Sequence, residues 1–412
     1  MATEPNKISV RMFNVGFGDC FLLTFHYEPE LRDQHILIDF GSVGGSADLG
    51  RIAREIRQAC GGKLYAVVAT HRHRDHISGF SNAGGEDSPG AIIRSCKPEV
   101  VLQPWTENPK ARANAKSAAS LYFSSLQAMQ GYAGTIADVA PQWRGAGGRV
   151  TGLEKLAANN TSNPDAVRNL RTMGKRAPLF LQYGSASGLE NPKLLPGVKV
   201  RVLGPPTLDQ QNLKKYAKDS SEYWIAGEYW GLQERAAAAA GSLDLFPGEA
   251  RYVKGATPTQ ARWFTEHADA ALKKNVLGIV TILDKFLNNT SLILLFEAKG
   301  KKLLFPGDAQ LENWQWALSQ KGVPELLKGV DVYKVGHHGS RNATPQRLWG
   351  LFEKRKGKKL LSMMSTASGV YGRSEDGKVP SANLVKALKA GGKLRDTQSL
   401  RSKKVPFEDV TL

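Results

Sequence analysis

The sequence predicts an α/β protein in which helices cover the faces of its sheets. Short apolar segments typical of buried strands alternate with a helical segment in the order strand, helix, strand. The most unusual polar motifs also follow such segments directly, as expected where strand ends form a site at one edge of a sheet. With 412 residues, the chain is long enough for one main domain that carries an insertion.

The first part of the chain has the clearest strand and helix pattern. Four short apolar segments are predicted strands, at residues 8–14, 21–25, 36–39 and 64–69. A helix is expected from about 47 to 60, because apolar residues recur on one face. Ser46 is its expected cap, and glycine at 61 and 62 would end it.

The middle of the chain differs from both ends. Residues 107–265 are rich in alanine with Gly, Pro and Asn breaks, which predicts a largely helical insertion with at least one strand near 198–203. Residues 1–106 and 266–412 would then be two halves of one domain, the second ending in a basic tail. The later predicted strands are 277–283, 291–296, 302–305, 331–335 and 360–364, and a short helix capped by Ser381 is expected at 381–390.

Composition narrows the classes of function. No apolar run approaches the roughly 20 residues of a membrane helix, and no secretory signal is evident at the N-terminus. Cys20, Cys60 and Cys96 lie in separate apolar segments without C-x-x-C spacing, so buried thiols and a cytoplasmic location are expected. The net charge of +18 favours nucleic acid or another phosphate-bearing substrate, although solubility or an acidic partner protein would also explain it. The oligomeric state stays open.

Residues 71–76 bring four potential metal ligands together directly after a predicted strand. His71 and His73 alternate in an extended segment, so their side chains can point to the same side and share one cation. Asp75 and His76 then turn toward a second position, and these ligand types suit zinc and related metals. Three of the chain's eight histidines fall within these six residues, which argues against the alternative of a solvated polar loop.

Two later segments place further ligands at strand ends. Asp308 follows the apolar residues of LLFPGD, and His337 and His338 follow those of YKVGHHGS. Taken alone, the Gly-Asp pair is also typical of an ordinary turn, and the histidine pair is ambiguous. Together with residues 71–76, these segments predict one metal site at the edge of a sheet.

The pattern H-x-H-x-D-H after a strand resembles the signature of the metallo-β-lactamase superfamily. The flanking segments are similar to the hydrolase domain of the competence protein ComEC and its stand-alone relatives. The similar segments are 14–20, 37–41, 288–294, 380–383 and 395–399. The resemblance covers about residues 5–105 and 275–400 and implies an αββα sandwich interrupted by the insertion.

The resemblance also implies a site with two divalent metal ions, most simply zinc, with manganese as the alternative. The implied ligands are His71, His73, Asp75, His76, Asp308 and His338. The first two would bind one ion, the next two the other, and Asp308 would bridge both. His338 is preferred over His337 as the last ligand, which leaves His337 as a proton donor or hydrogen-bonding neighbour; the reverse assignment stays open.

Three further positions have two interpretations each. Asp39 would orient the histidine loop or simply form a turn at a strand end, and Thr70 is expected to be structural rather than catalytic. Many members of the superfamily have another metal-binding histidine in mid-chain. The candidate here is His267, which is more typical of an ordinary helix face.

Two close metal ions lower the pKa of a bridging water, so the expected nucleophile is a metal-bound hydroxide aligned by Asp75. Three functions compete: a phosphodiesterase or nuclease, a lactonase, lactamase or thioesterase, and a non-catalytic binding protein that retains the site. Four cations beside the motifs would face phosphate oxygens or lie on a solvated face: Arg72, Arg74, Lys334 and Arg341. Four aromatic residues of the insertion would stack on bases or form a helical core: Tyr223, Trp224, Tyr229 and Trp230.

Overall fold

The computed structural model describes eleven parts of the chain. These are residues 4–27, 31–43, 47–109, 159–160, 163–207, 284, 287–353, 359–367, 369, 379–403 and 405–412. The chain divides into two compact units, one of residues 1–109, 163–211 and 287–412 and the other of 110–162 and 212–286. Nearly all of the described residues belong to the first unit. The predicted strand at 277–283, His267 and the aromatic residues at 223–230 lie outside the described residues.

The first unit is an α/β structure with two mixed sheets. The seven-stranded sheet has the order β13-β1-β2-β3-β4-β5-β6. Its strands are β1 Lys7–Phe13, β2 Cys20–His26, β3 Gln34–Phe40, β4 Ala66–Val68, β5 Val100–Pro104, β6 Leu179–Leu181 and β13 Phe407–Thr411. Strands β13 to β3 pair antiparallel, whereas β3 to β6 pair parallel.

The six-stranded sheet has the order β12-β11-β10-β9-β8-β7. Its strands are β7 Lys199–Gly204, β8 Ile293–Ala298, β9 Lys301–Phe305, β10 Val332–Lys334, β11 Leu360–Met364 and β12 Gly392–Asp396. Strands β7 to β9 pair antiparallel and β9 to β12 pair parallel. The antiparallel part has four strands in the first sheet and three in the second, and parallel strands follow it in both, so the two halves have a similar layout.

The two sheets pack face to face. One buried apolar cluster contains residues of both, and the Phe21 and Phe305 rings meet edge to face with centroids 5.9 Å apart. The outer faces are covered by helices. These are α1 Leu49–Ala59, α2 Arg74–Ile77, α3 Pro89–Ser95, α4 Pro164–Thr172, α5 Leu311–Ser319, α6 Val323–Leu327, α7 Gln346–Glu353 and α8 Ala382–Gly391. A further helix, α9 Thr397–Ser402, contacts the edge strands β12 and β13.

Helix α1 shows how the outer layer forms. Ile52 and Ile56, one turn apart, are buried against Leu37 and Val67 of the first sheet, as the apolar periodicity predicts. The expected cap was wrong: the helix begins at Leu49, and the carboxylate of Asp48 accepts from Arg51 N at 2.9 Å. A carboxylate at this position satisfies a backbone N–H that would otherwise lack a partner.

The predicted strand near 198–203 is confirmed as β7. Within the expected insertion, residues 163–207 supply α4 and one strand to each sheet. The limits at 106 and 265 stay predictions, because residues 110–158 and 208–283 lie outside the described part. Among the described helices, none is long and apolar enough to cross a membrane.

Candidate metal centre

The candidate site lies where several strands of the two sheets end. Residues 71–76 follow β4, and Asp39 lies near the end of β3. From the second sheet, Asp308 follows β9 and His338 follows β10. Because β9 and β10 are parallel, their carboxyl ends meet at one edge and bring these two side chains together.

Asp39 connects β3 with the histidine loop. Its Oδ1 accepts from Thr70 N, its Oδ2 accepts from Thr70 Oγ1, both at 2.7 Å, and Oδ2 also lies 2.8 Å from His76 Nδ1. All three residues are buried. The carboxylate therefore holds the start of the loop and directs Nε2 of His76 away from β3, into the site.

Asp75, His76, Asp308 and His338 form a buried cluster. Nε2 of His76 lies 3.1 Å from Asp308 Oδ2, and Nε2 of His338 lies 3.1 Å from Asp75 Oδ2 and 3.4 Å from Asp308 Oδ2. One ligand atom from each of the four lies within 4.8 Å of the others. These residues could hold a metal ion, because nitrogen and carboxylate oxygen ligands converge there out of contact with solvent.

Two further observations support that fit. Nε2 of His76 is buried and has no well-directed hydrogen-bond partner, as expected for a metal ligand. Asp19, Asp39 and His76 make a second close group, but there Nδ1 of His76 is engaged with Asp39. Among the described residues, the four-residue cluster is therefore the better metal site.

His71 and His73 adjoin this cluster. Both are buried, and Nε2 of His71 lies 2.9 Å from Nδ1 of His73, so the two rings present nitrogens to a common point. The ring of His71 also lies 4.2 Å from the ring of His76, centroid to centroid. Their role as ligands of a first metal ion stays a prediction.

The two adjacent histidines differ in environment. His338 is fully buried, with Nδ1 3.0 Å from Ser365 O and its ring 4.3 Å from that of Phe17. The His337 side chain is only partly buried, with Nδ1 3.3 Å from Gln310 Nε2. Both residues have positive φ, 46° and 52°, a conformation that non-glycine residues rarely adopt and that here turns only one ring into the cluster.

The charges of the cluster hold the protons in a defined pattern. Burial and the neighbouring imidazoles of His76 and His73 lower the pKa of His71 well below 6.5, which favours the neutral form of this ring. Burial alone would also lower the pKa of His76, but the carboxylates of Asp308, Asp39 and Asp75 outweigh it and raise the pKa well above 6.5. The pKa of His338 is raised in the same way, against its burial, by Asp308 and Asp19.

Metal binding is expected to strengthen as the pH rises from about 6 to about 8, because an ion must displace the protons of His76 and His338. Their raised pKa values stabilise the metal-free protein below the ordinary histidine value, and this contribution is lost as the pH rises through them. Calorimetric titration in buffers of different ionisation enthalpy should show proton release on binding. Equal affinity across this range without proton release would contradict the prediction.

The contacts of three important residues were not predicted from the sequence. Lys334, considered there only as a possible phosphate-facing or solvated cation, is buried, and its Nζ forms ion pairs with Asp19 and Asp308. Glu107 is also buried and forms a bidentate ion pair with Arg72. Asp19 follows Gly18 just before β2, and this Gly-Asp pair was the sequence signal available for it. Its partner, Lys334, is too distant in sequence to be inferred.

The ion pair with Glu107 also corrects the expectation for Arg72. Its guanidinium donates from both Nε and NH2 to the carboxylate of Glu107. Arg72 therefore anchors the histidine loop next to the end of β5, and its charge is paired within the protein. Arg74 and Arg341, by contrast, are exposed. Of the four cations beside the motifs, two therefore remain at the surface.

Comparison with known proteins gives no further assignment. No model of a protein family matches the chain, and a search of curated proteins finds no match.

Proposed function

We propose that this protein is a metal-dependent hydrolase with a metallo-β-lactamase-type αββα fold, acting as a phosphodiesterase or nuclease on nucleic acid or nucleotides. The observation that carries the proposal is the buried cluster of Asp75, His76, Asp308 and His338, assembled from the ends of strands in both sheets. Two face-to-face sheets with helices on their outer faces support the fold assignment.

The proposed centre holds two divalent ions, zinc or manganese. Asp75, His76 and His338 would hold one, His71 and His73 the other, and Asp308 would contact both. Bound ions of this kind lower the pKa of a water molecule and stabilise negative charge on the oxygens of the scissile group. The six proposed ligands are at most 2 % exposed, so chemistry at this centre would be shielded from bulk solvent.

Two residues are proposed to act on substrate or water. Asp75, whose pKa is held low against burial by His76 and His338, is an ionised hydrogen-bond acceptor that orients the attacking water. His337 lies at the rim of the cluster with a partly buried ring, where it can donate a proton to the leaving group.

The substrate class follows from charge. A net charge of +18 attracts phosphate-bearing molecules, and the last part of the chain, from residue 351, has 14 Lys and Arg against 6 Asp and Glu. An ester, lactam or thioester substrate would make no use of this charge. The phosphodiester assignment therefore explains both the site and the composition.

Elemental analysis of the purified protein, combined with assays on single-stranded DNA, bis-nitrophenyl phosphate and a chromogenic lactone, tests the proposal. Bound metal, cleavage of the phosphodiesters and loss of cleavage in a folded His73→Ala variant are the expected results. Cleavage of the lactone alone would replace the phosphodiesterase by a lactonase-type hydrolase. Absence of bound metal after purification would favour the non-catalytic binding protein.

Arg74 is expected to bind a substrate phosphate, because it is exposed and follows His73 directly. The Arg74→Ala variant should raise KM for a phosphodiester about three- to tenfold, with kcat changed less, and the effect should shrink at high salt. Arg57→Ala, which removes another exposed arginine from the last turn of α1, is the matched control. Equal KM values for the two variants would remove Arg74 from the substrate site.

A further inference from the structure

Lys334 is a buried cation beside a cluster that is proposed to bind cations. It lies on β10 with 2 % of its surface exposed. Its Nζ donates to Gly307 O at 2.8 Å and to Asp308 Oδ1 at 3.0 Å, and it forms an ion pair with Asp19. An ammonium in this position repels a bound metal ion, so its presence requires an explanation other than charge attraction.

Asp19 supplies the opposite charge. It is fully buried in the link between β1 and β2, and its carboxylate oxygens lie 3.6 Å from Nδ1 of His76 and 3.6 Å from Nδ1 of His338. Its backbone N donates to Asp75 O at 2.9 Å. Asp19 thus lies behind the metal-facing side of both rings and next to a third candidate ligand.

The contacts of Asp308 show what the ion pair of Lys334 and Asp19 does. Its Oδ1 accepts from both Lys334 Nζ and His337 N, each at 3.0 Å, which occupies that oxygen with protein donors. Its Oδ2 is left to face Nε2 of His76 and Nε2 of His338. The carboxylate therefore cannot rotate without breaking two hydrogen bonds, one from the charged Lys334 Nζ and one from the backbone N of His337.

We infer that Asp19 and Lys334 are positioning residues, a buried ion pair that turns Asp308 so that one oxygen alone faces the metal ions. This inference rests on the proposed metal site. Stability alone does not account for the pair, because burying two charges costs about as much as their attraction returns. Because the two opposite charges cancel, the pair orients Asp308 without changing the net charge of the site.

Two double variants separate positioning from charge. Asp19→Asn with Lys334→Met removes both charges and the donor to Asp308. Asp19→Asn with Lys334→Gln removes the same charges but retains an amide that can donate to Asp308 Oδ1. We expect the Met double variant to bind Co²⁺ about 10- to 100-fold more weakly than the wild type, as for other partners that orient metal ligands. The Gln double variant should stay within about threefold of the wild type.

The visible absorption of bound Co²⁺ provides a readout that a purely structural role would leave unchanged. The band shape and intensity should change in the Met double variant, because Asp308 is no longer held, and should return toward the wild type in the Gln double variant. Equal affinities and spectra for the two double variants would overturn the inference. Circular dichroism establishes that each protein is folded before titration.

Lys334→Arg is the third variant, for the case in which neither double variant folds. It retains the charge, but a planar guanidinium cannot reproduce the contacts of Nζ, so positioning predicts at least tenfold weaker Co²⁺ binding. Wild-type binding by this variant, or failure of all three to fold, would make the pair purely structural. Wild-type protein that binds Co²⁺ but cleaves no phosphodiester would refute the proposed function and leave this inference standing.

Discussion

The Asp39→Ala variant is expected to lose stability and most of its metal affinity together. Alanine removes the acceptor of Thr70 N, Thr70 Oγ1 and His76 Nδ1, all buried. His76 still has the carboxylate of Asp19 at 3.6 Å, and Thr70 Oγ1 still has His71 Nδ1 at 3.2 Å, so the largest single cost is that of Thr70 N. At about 1–3 kcal/mol for each unsatisfied group, the free energy of unfolding should fall by about 3 kcal/mol.

The metal should be held about 10- to 100-fold more weakly in this variant, because His76 is no longer fixed from behind. Denaturant unfolding and Co²⁺ titration measure the two effects. Asp39→Asn is the matched control: an amide suits the left-handed backbone at this position, where φ is 55°, and still accepts from Thr70 N. It should recover most of the stability and only part of the affinity. Wild-type metal affinity in the alanine variant would show that Asp39 only forms a turn.

The Asp308→Asn variant should remove activity almost completely while the protein stays folded. The amide oxygen can still accept from His337 N and Lys334 Nζ, so the local hydrogen bonds survive. The lost negative charge is the one that faces both Nε2 of His76 and Nε2 of His338. We expect kcat/KM for a phosphodiester to fall by about a thousandfold or more, in line with removal of a central electrostatic group.

The metal content of the Asp308→Asn protein, measured by elemental analysis after dialysis, should also fall. Asp331→Asn is its matched control, since it makes the same chemical change just before β10, where the carboxylate accepts from Lys302 N at 2.9 Å. That variant should retain metal and activity. Full metal content and near-normal turnover in Asp308→Asn would exclude the carboxylate from the centre.

Much of the fold is predictable because its signals are local. The apolar segments predicted as strands at 8–14, 36–39 and 360–364 correspond to β1, β3 and β11, and the helix over Ile52 and Ile56 follows from the spacing of its apolar residues. The ends of elements are less certain, because a cap depends on which nearby side chain reaches a free N–H. Asp48 and Ser46 are both suitable residues for that position, and the sequence does not distinguish them.

The candidate ligands are predictable in type for a similar reason. Histidine and aspartate directly after a strand must lie at the edge of a sheet, whatever the order of the strands. Their assignment as a cluster required the parallel pairing of β9 with β10, which brings Asp308 close to His338. That the ring of His338, rather than that of His337, lies in the cluster depends on two left-handed backbone conformations, which the sequence does not signal.

The sequence by itself determined the strand and helix segments, the ligand types and the surplus of positive charge. Only the tertiary structure decided which charges are buried and what they contact: Lys334 lies against Asp19 and Asp308, and Arg72 lies against Glu107. Periodicity reports on neighbours along the chain, so it shows which face of an element is apolar. The partner of a charge is set by which strand ends meet in space, and the low polarity there makes that pairing obligatory.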